Sequence, residues 1–228
     1  GPMSLDLTGW MLWNSPAGSG VMVMCNRSTV AMDVKVHGNT IEKNAVDGLI
    51  ISNWGGACDL SVEVYDQELL EMGNSGLVYW SGMGDWSPAT TATVTIRNVS
   101  VTRSAKEGMA FFLTGGATNL DVNMEDVMIT SSDASGLAIR PEGFFGTVRF
   151  DMLNVTSTDN ADEGLLCCEN GAAVLTTCTL ERNGKSGVET LQARITLESC
   201  EVRENGLSGL YLAALRAGEE MAHAVGDD

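Results

Sequence analysis

The chain contains no run of about 18 apolar residues, which excludes a membrane-spanning helix. It is poor in positive charge, with 13 Lys and Arg against 30 Asp and Glu and a formal net charge of −17. Nucleic-acid backbones and anionic lipid surfaces need clustered cations, so both are excluded as partners. The acid is spread along the chain, which describes a soluble, well-hydrated surface. No basic-then-apolar leader opens the sequence, so a signal peptide is absent or was removed. Histidine is nearly missing, with His37 and His223 the two examples. None of the six cysteines forms a C-x-x-C pair, and 228 residues are too many to need a disulfide framework.

Glycine is abundant at 26 residues, and its placement is periodic. "NGKSGVETL" from Asn183 and "NGLSGLYL" from Asn205 are offset by 22 residues. Aligned on one glycine per unit, the anchors are Gly20, Gly48, Gly76, Gly108, Gly136, Gly164, Gly187 and Gly209, in steps of 28, 28, 32, 28, 28, 23 and 22. With the anchor as position zero, −14 reads Val34, Val62, Val94, Val122, Phe150, Ala173 and Ile195. Positions −12, −7, +1 and +3 are equally apolar, and only Ser157 and Thr190 among these 35 residues are polar. At 44% hydrophobic overall, about 15 apolar residues would fall there by chance, so the repeat is real.

The punctuation repeats too. Position −10 reads Gly38, Asp66, Asn98, Asp126, Asn154, Thr177 and Ser199, and position −4 carries Asn44, Ser104, Ser132, Asn160, Asn183 and Asn205. Asn and Gly tolerate the left-handed backbone of a sharp corner. Each unit therefore holds three short period-two strands at −14/−12, −9/−7 and +1/+3. Corners lie at −10 and near −4, and a variable loop follows +4. This is one coil of an all-β parallel β-helix, stacked at the ~4.8 Å strand spacing, with about eight coils in all. Like residues pile in columns. Cys178 above Cys200 at −9 reads as a pair of free thiols, because aligned stacking disfavours disulfide geometry.

The chain resembles the right-handed parallel β-helix (pectin-lyase-like) superfamily. "NGKSGVETL", "NGLSGLYL" and the neighbouring "ITLESCEV" carry the resemblance. Handedness is implied by it, as is a functional surface on the outer face of one sheet and its loops. Residues 1–3 read as a remnant and start, 4–19 as an N-terminal cap built on Leu5, Leu7, Trp10, Leu12 and Trp13, 20–212 as the helix, and 213–228 as a tail or thin cap.

No catalytic pattern of the superfamily is matched. The outward +2 row (Met22, Ile50, Val78, Ala110, Ala138, Leu166, Glu189, Tyr211) reads as a greasy face without an acid pair until Glu189. His37 reads as a solvated surface residue. Acids gather before the anchors at Asp47, Glu107, Asp133, Asp162 and Glu163. Stacked, they would form a ridge, of which Asp133, Asp162 and Glu163 would be the residues to hold Ca²⁺. The plainer reading is acidic corners facing water, with no metal and no cofactor. Hydroxyls at −8 and −6, such as Thr130, resemble an ice-binding rank but are interrupted by Met128 and several Glu.

The leading functional signal is aromatic. Trp54, Trp80, Trp86, Phe144 and Phe145 fall in the segments after +4, together with Arg140 and Glu142. They would line one edge of the rod and suit stacking on sugar rings or packing on a protein, or else fold down as a lid over the greasy face. The sequence thus describes a non-catalytic scaffold or recognition module for a glycan or protein partner, part of a larger protein, with end-to-end self-association open to it. The alternatives are a polysaccharide lyase or glycoside hydrolase using Asp133, Asp162, Arg140, Glu142 or Glu169, and an ice- or mineral-surface binder.

Overall fold

The computed structural model describes residues 3–26, 30–54, 59–82, 90–114, 118–142, 146–168 and 171–213. Every strand pairing among them is parallel, and each connects residues one repeat apart. One sheet has eight strands, running spatially as Val21–Asn26, Leu49–Trp54, Leu77–Gly82, Met109–Thr114, Leu137–Glu142, Leu165–Cys167, Val188–Leu191 and Leu210–Ala213. The other wall is built from the first two strands of each rung. These are continuous across the corner in Leu60–Leu70, Thr90–Thr102 and Thr118–Thr130.

The register is the one the repeat sets. Val122 pairs with Val94 on one side and Phe150 on the other, and all three are buried. The columns at −14, −12, −7, +1 and +3 form a single core, with Phe111 stacked against Tyr79 and edge-on to Phe150. Ser157 and Thr190 interrupt these columns without leaving an unpaired group. Ser157 Oγ donates to the Gly164 carbonyl at 2.8 Å, and Thr190 Oγ1 donates to the Ala193 carbonyl at 3.3 Å.

Position −10 is left-handed throughout, from Gly38 at φ 63° to Asn98 at φ 49°. Its side chains make a ladder of their own: Asn98 Nδ2 donates to Asp66 Oδ1 at 2.7 Å, and Asn154 Nδ2 to Asp126 Oδ1 at 2.6 Å. The second corner differs from the sequence reading. Its left-handed residue is −5 and not −4: Lys43, Glu71, Arg103, Ser131, Asp159, Arg182 and Glu204. The asparagines at −4 point inward. Asn160 Nδ2 donates to Asn183 Oδ1 at 2.9 Å, and Asn183 Nδ2 to Asn205 Oδ1 at 3.0 Å, while the backbone N–H groups of Asn160 and Asn183 donate to the same oxygens. Stacked amides satisfy the buried polar groups of the bend, which is why Asn recurs there. The charged −5 residues stay outside and pair, as Arg182 does with both oxygens of Asp159 at 2.8 and 2.9 Å.

The anchor glycines have normal φ, so they are there for space. A Cβ on Gly76 would strike Val101 Cγ1 and lie 2.7 Å from the Gly108 carbonyl oxygen.

At the N-terminal end, the segment read as a cap is itself a rung. Met3–Thr8 pairs with Met32–His37, and Met11–Trp13 with Thr40–Glu42. Leu7 and Leu12 pack on the core, whereas Leu5, Trp10 and Trp13 are exposed. Cys167, Cys178 and Cys200 are free thiols, and Cys25 is disulfide-bonded. Among the described residues no helix is long and apolar enough to cross a membrane.

Candidate functional site

The outer face of the eight-stranded sheet has three columns: −1, +2 and +4. The +4 column begins at Met24 and continues through Ser52, Trp80, Phe112, Arg140 and Cys168, each in register with the next. Ser52 is buried, and its hydroxyl has no hydrogen-bond partner. Trp80 is 37% exposed and stacks on Phe112, with ring centroids 4.5 Å apart. The Arg140 guanidinium sits 5.9 Å from the centre of the Phe112 ring, a cation–π geometry. Trp80, Phe112 and Arg140 therefore form one continuous stack along the rod axis.

The acids of the −1 column do not project into water as corner residues would. Asp47, Glu107 and Glu163 are buried, and serines occupy the intervening rungs: Ser75, Ser135 and Ser186. Asp47 Oδ1 accepts from Asn74 Nδ2 at 2.7 Å and from the Ser75 backbone N–H at 3.0 Å. Glu163 Oε2 accepts from Ser135 Oγ at 2.8 Å. Glu107 Oε1 is 3.0 Å from Arg140 Nη2. That ion pair joins the −1 and +4 columns across +2, where the residues between are Ala110 and Ala138. The greasy face expected at +2 is accordingly covered in its middle. Ile50, Val78, Ala110 and Ala138 are buried, and only the ends, at Met22 and Tyr211, are open. Small floor residues let the strap lie down on the sheet.

Beyond Arg140 the face carries a second cluster. Lys185 Nζ is 3.1 Å from Asp162 and 3.4 Å from Glu163. Burial pulls the lysine down, but the two carboxylates outweigh it and its pKa is raised. Glu189, half-buried on the floor beside Tyr211, is pushed above the usual carboxylate range by burial and by Glu163; Lys185 opposes that shift and Asp162 adds to it.

The structure brings Trp80 and Arg140 together and places both on strands, not in loops. The third strand of the rung runs to +6 in Leu77–Gly82 and Leu137–Glu142, because backbone pairing with the neighbouring rungs continues that far. Trp54 and Glu142 also lie on strands, with side chains outside what is described. Trp86, Phe144, Phe145 and Glu169 lie outside the described residues. Of the ridge residues, Asp133 is exposed, Asp162 half-buried and Glu163 buried. Among the described residues no three His, Cys, Asp or Glu come together to hold a metal ion. Phe112 was not singled out from sequence, although it shares the +4 offset with Trp80 and Arg140. His37 faces outward as read, but it is engaged: it stacks on Tyr65 at 4.4 Å and lies 2.8 Å from Asp6.

With the parallel rungs and their register described, the comparison with known families is direct. The family described as the right handed beta helix region matches residues 86–219. The chain belongs to this right-handed β-helix family. Among solved structures, this β-helix is similar to the A-module of the Azotobacter vinelandii mannuronan C-5 epimerase AlgE4, at 15% identity and a TM-score of 0.44 over 83% of this chain and 70% of that one. No curated protein matches the chain.

Proposed function

We propose that this β-helix is a recognition module that holds a glycan against the outer face of its eight-stranded sheet. The observation that carries the reading is Trp80, exposed and braced from behind by Phe112 and Arg140. An indole fixed by stacking loses little freedom on binding a sugar ring. The buried carboxylates and serines beside it supply hydrogen-bond acceptors and donors at fixed positions. Truncating such an anchor costs about 2 kcal/mol, a roughly thirtyfold weaker Kd. Titration of Trp80→Ala against a glycan retained by the wild type should show that loss with an unchanged melting temperature. Unfolding of Trp80→Ala, or retention of a protein partner and no glycan, would reject the reading.

One observation favours a second reading, a carbohydrate-active enzyme: burial and the neighbouring Glu163 raise the pKa of Glu189, and a pair of carboxyl groups is what glycoside hydrolysis uses. Reducing-end or unsaturated-product release from a polysaccharide panel, lost in Glu189→Gln, would establish it.

A further inference from the structure

Carboxylates outnumber cations on this face, and Arg140 and Lys185 are already paired, which constrains the ligand. We infer that the face takes an uncharged glycan and excludes polyuronates and sulfated glycans; the inference rests on the glycan-recognition reading above. An anionic sugar needs cations in excess of the carboxylates around it. Arg140 is paired with Glu107 at 3.0 Å, and Lys185 with Asp162 at 3.1 Å and Glu163 at 3.4 Å. Among the described residues Lys106, at the same offset as Lys185, is exposed without an ion pair, but Asp47 and Glu189 add two carboxylates without one, so carboxylate still exceeds cation on this face. A further carboxylate or sulfate entering a half-buried site of this sign is repelled more strongly than in bulk water.

The same groups suit hydroxyls. An ionised carboxylate has about four lone-pair sites, and the bonds to Arg140, Ser75 and Ser135 leave acceptor capacity on Glu107 and Glu163. Asp47, Glu107 and Glu163 recur on alternate rungs, about 10 Å apart at two strand spacings. Acceptors at that regular interval, beside a stacked aromatic column, match the hydroxyls of an extended uncharged polysaccharide lying along the rod.

The test is isothermal titration or affinity electrophoresis of the wild-type protein. The panel holds neutral polymers of glucose, mannose, galactose and xylose, together with polygalacturonate and a sulfated galactan. The expected result is binding to a neutral polymer, weakened at least tenfold by Trp80→Ala and changed less than twofold between about 50 and 500 mM salt, with no retention by the charged polymers. The double variant Glu107→Gln/Glu163→Gln, which unpairs Arg140 and leaves Lys185 with Asp162 alone, should gain binding to polygalacturonate. Tighter wild-type binding to polygalacturonate or the sulfated galactan than to any neutral polymer overturns the inference and leaves the recognition reading standing. Retention by no polymer overturns the recognition reading and the inference with it. The wild-type panel decides even if the double variant does not fold.

Discussion

Asn183 shows how a polar side chain serves as a core residue in this protein. Its carbonyl oxygen accepts from both N–H groups of Asn160, and its own amide reaches Asn205 and the Ser157 carbonyl. Asn183→Ala leaves several buried groups unpaired and should lower stability by about 1–3 kcal/mol, read as a lower urea midpoint at unchanged m-value. Gly108→Ala should be at least as damaging, about 1–3 kcal/mol, because its Cβ would press on Ile129 Cγ2 and lie 2.8 Å from the Gly136 carbonyl oxygen. The thiols make a pH prediction. Burial pushes Cys178 up from 9.0 to about 11 and Cys167 to about 12. The folded state thus holds protons that the unfolded state releases above pH 9, so stability falls as pH rises from about 9 through about 12. Stopped-flow thiol labelling at pH 8 should find both native cysteines slow and both unfolded cysteines fast.

The corners are the elements that the sequence describes best and also where it misleads. Turn formers at −10 mark left-handed residues without exception, since each of those residue types has a short polar side chain or none. Thr177 is the strained member, β-branched at φ 52°. Thr177→Asn should therefore raise stability by about 1 kcal/mol, seen as a higher urea midpoint. At the second corner the same logic points to the wrong residue. Asn at −4 is selected for amide stacking, and the left-handed burden falls on charged −5 residues whose side chains lie outside and pair between rungs. Strand ends are misjudged for a related reason. Backbone pairing carries the third strand past +4, so Trp80 and Arg140 sit on a rigid sheet and not in a loop. The core columns were legible because stacking repeats one chemistry at one offset. The site was only half legible, because Glu107 and Arg140 belong to different offsets of neighbouring rungs and meet only when the alanines between them let the side chains cross.

At the scale of the molecule, each rung touches only its neighbours, so stability is a chain of nearest-neighbour terms. Among the described residues the first and last rungs are the open ones: Met11, Trp13, Leu207 and Leu212 are exposed by 62–74%. Hydrogen exchange should protect the amides of Val94, Val122 and Phe150 most and those of Met3–Trp13 and Arg194–Ala213 least; uniform protection along the rod would contradict this additive picture. The in-register pairing of Val94, Val122 and Phe150 has one more outcome. Because every rung repeats the cross-section of the last, removing residues 109–136 would bring the strand beginning at Leu77 against the one beginning at Leu137 with each column intact. The protein would lose one step of ~4.8 Å and two members of its aromatic-and-acid face, Phe112 and Ser135. The length of the rod is thus set by counting duplicated units, and a gene can lengthen or shorten the molecule without redesigning its interior.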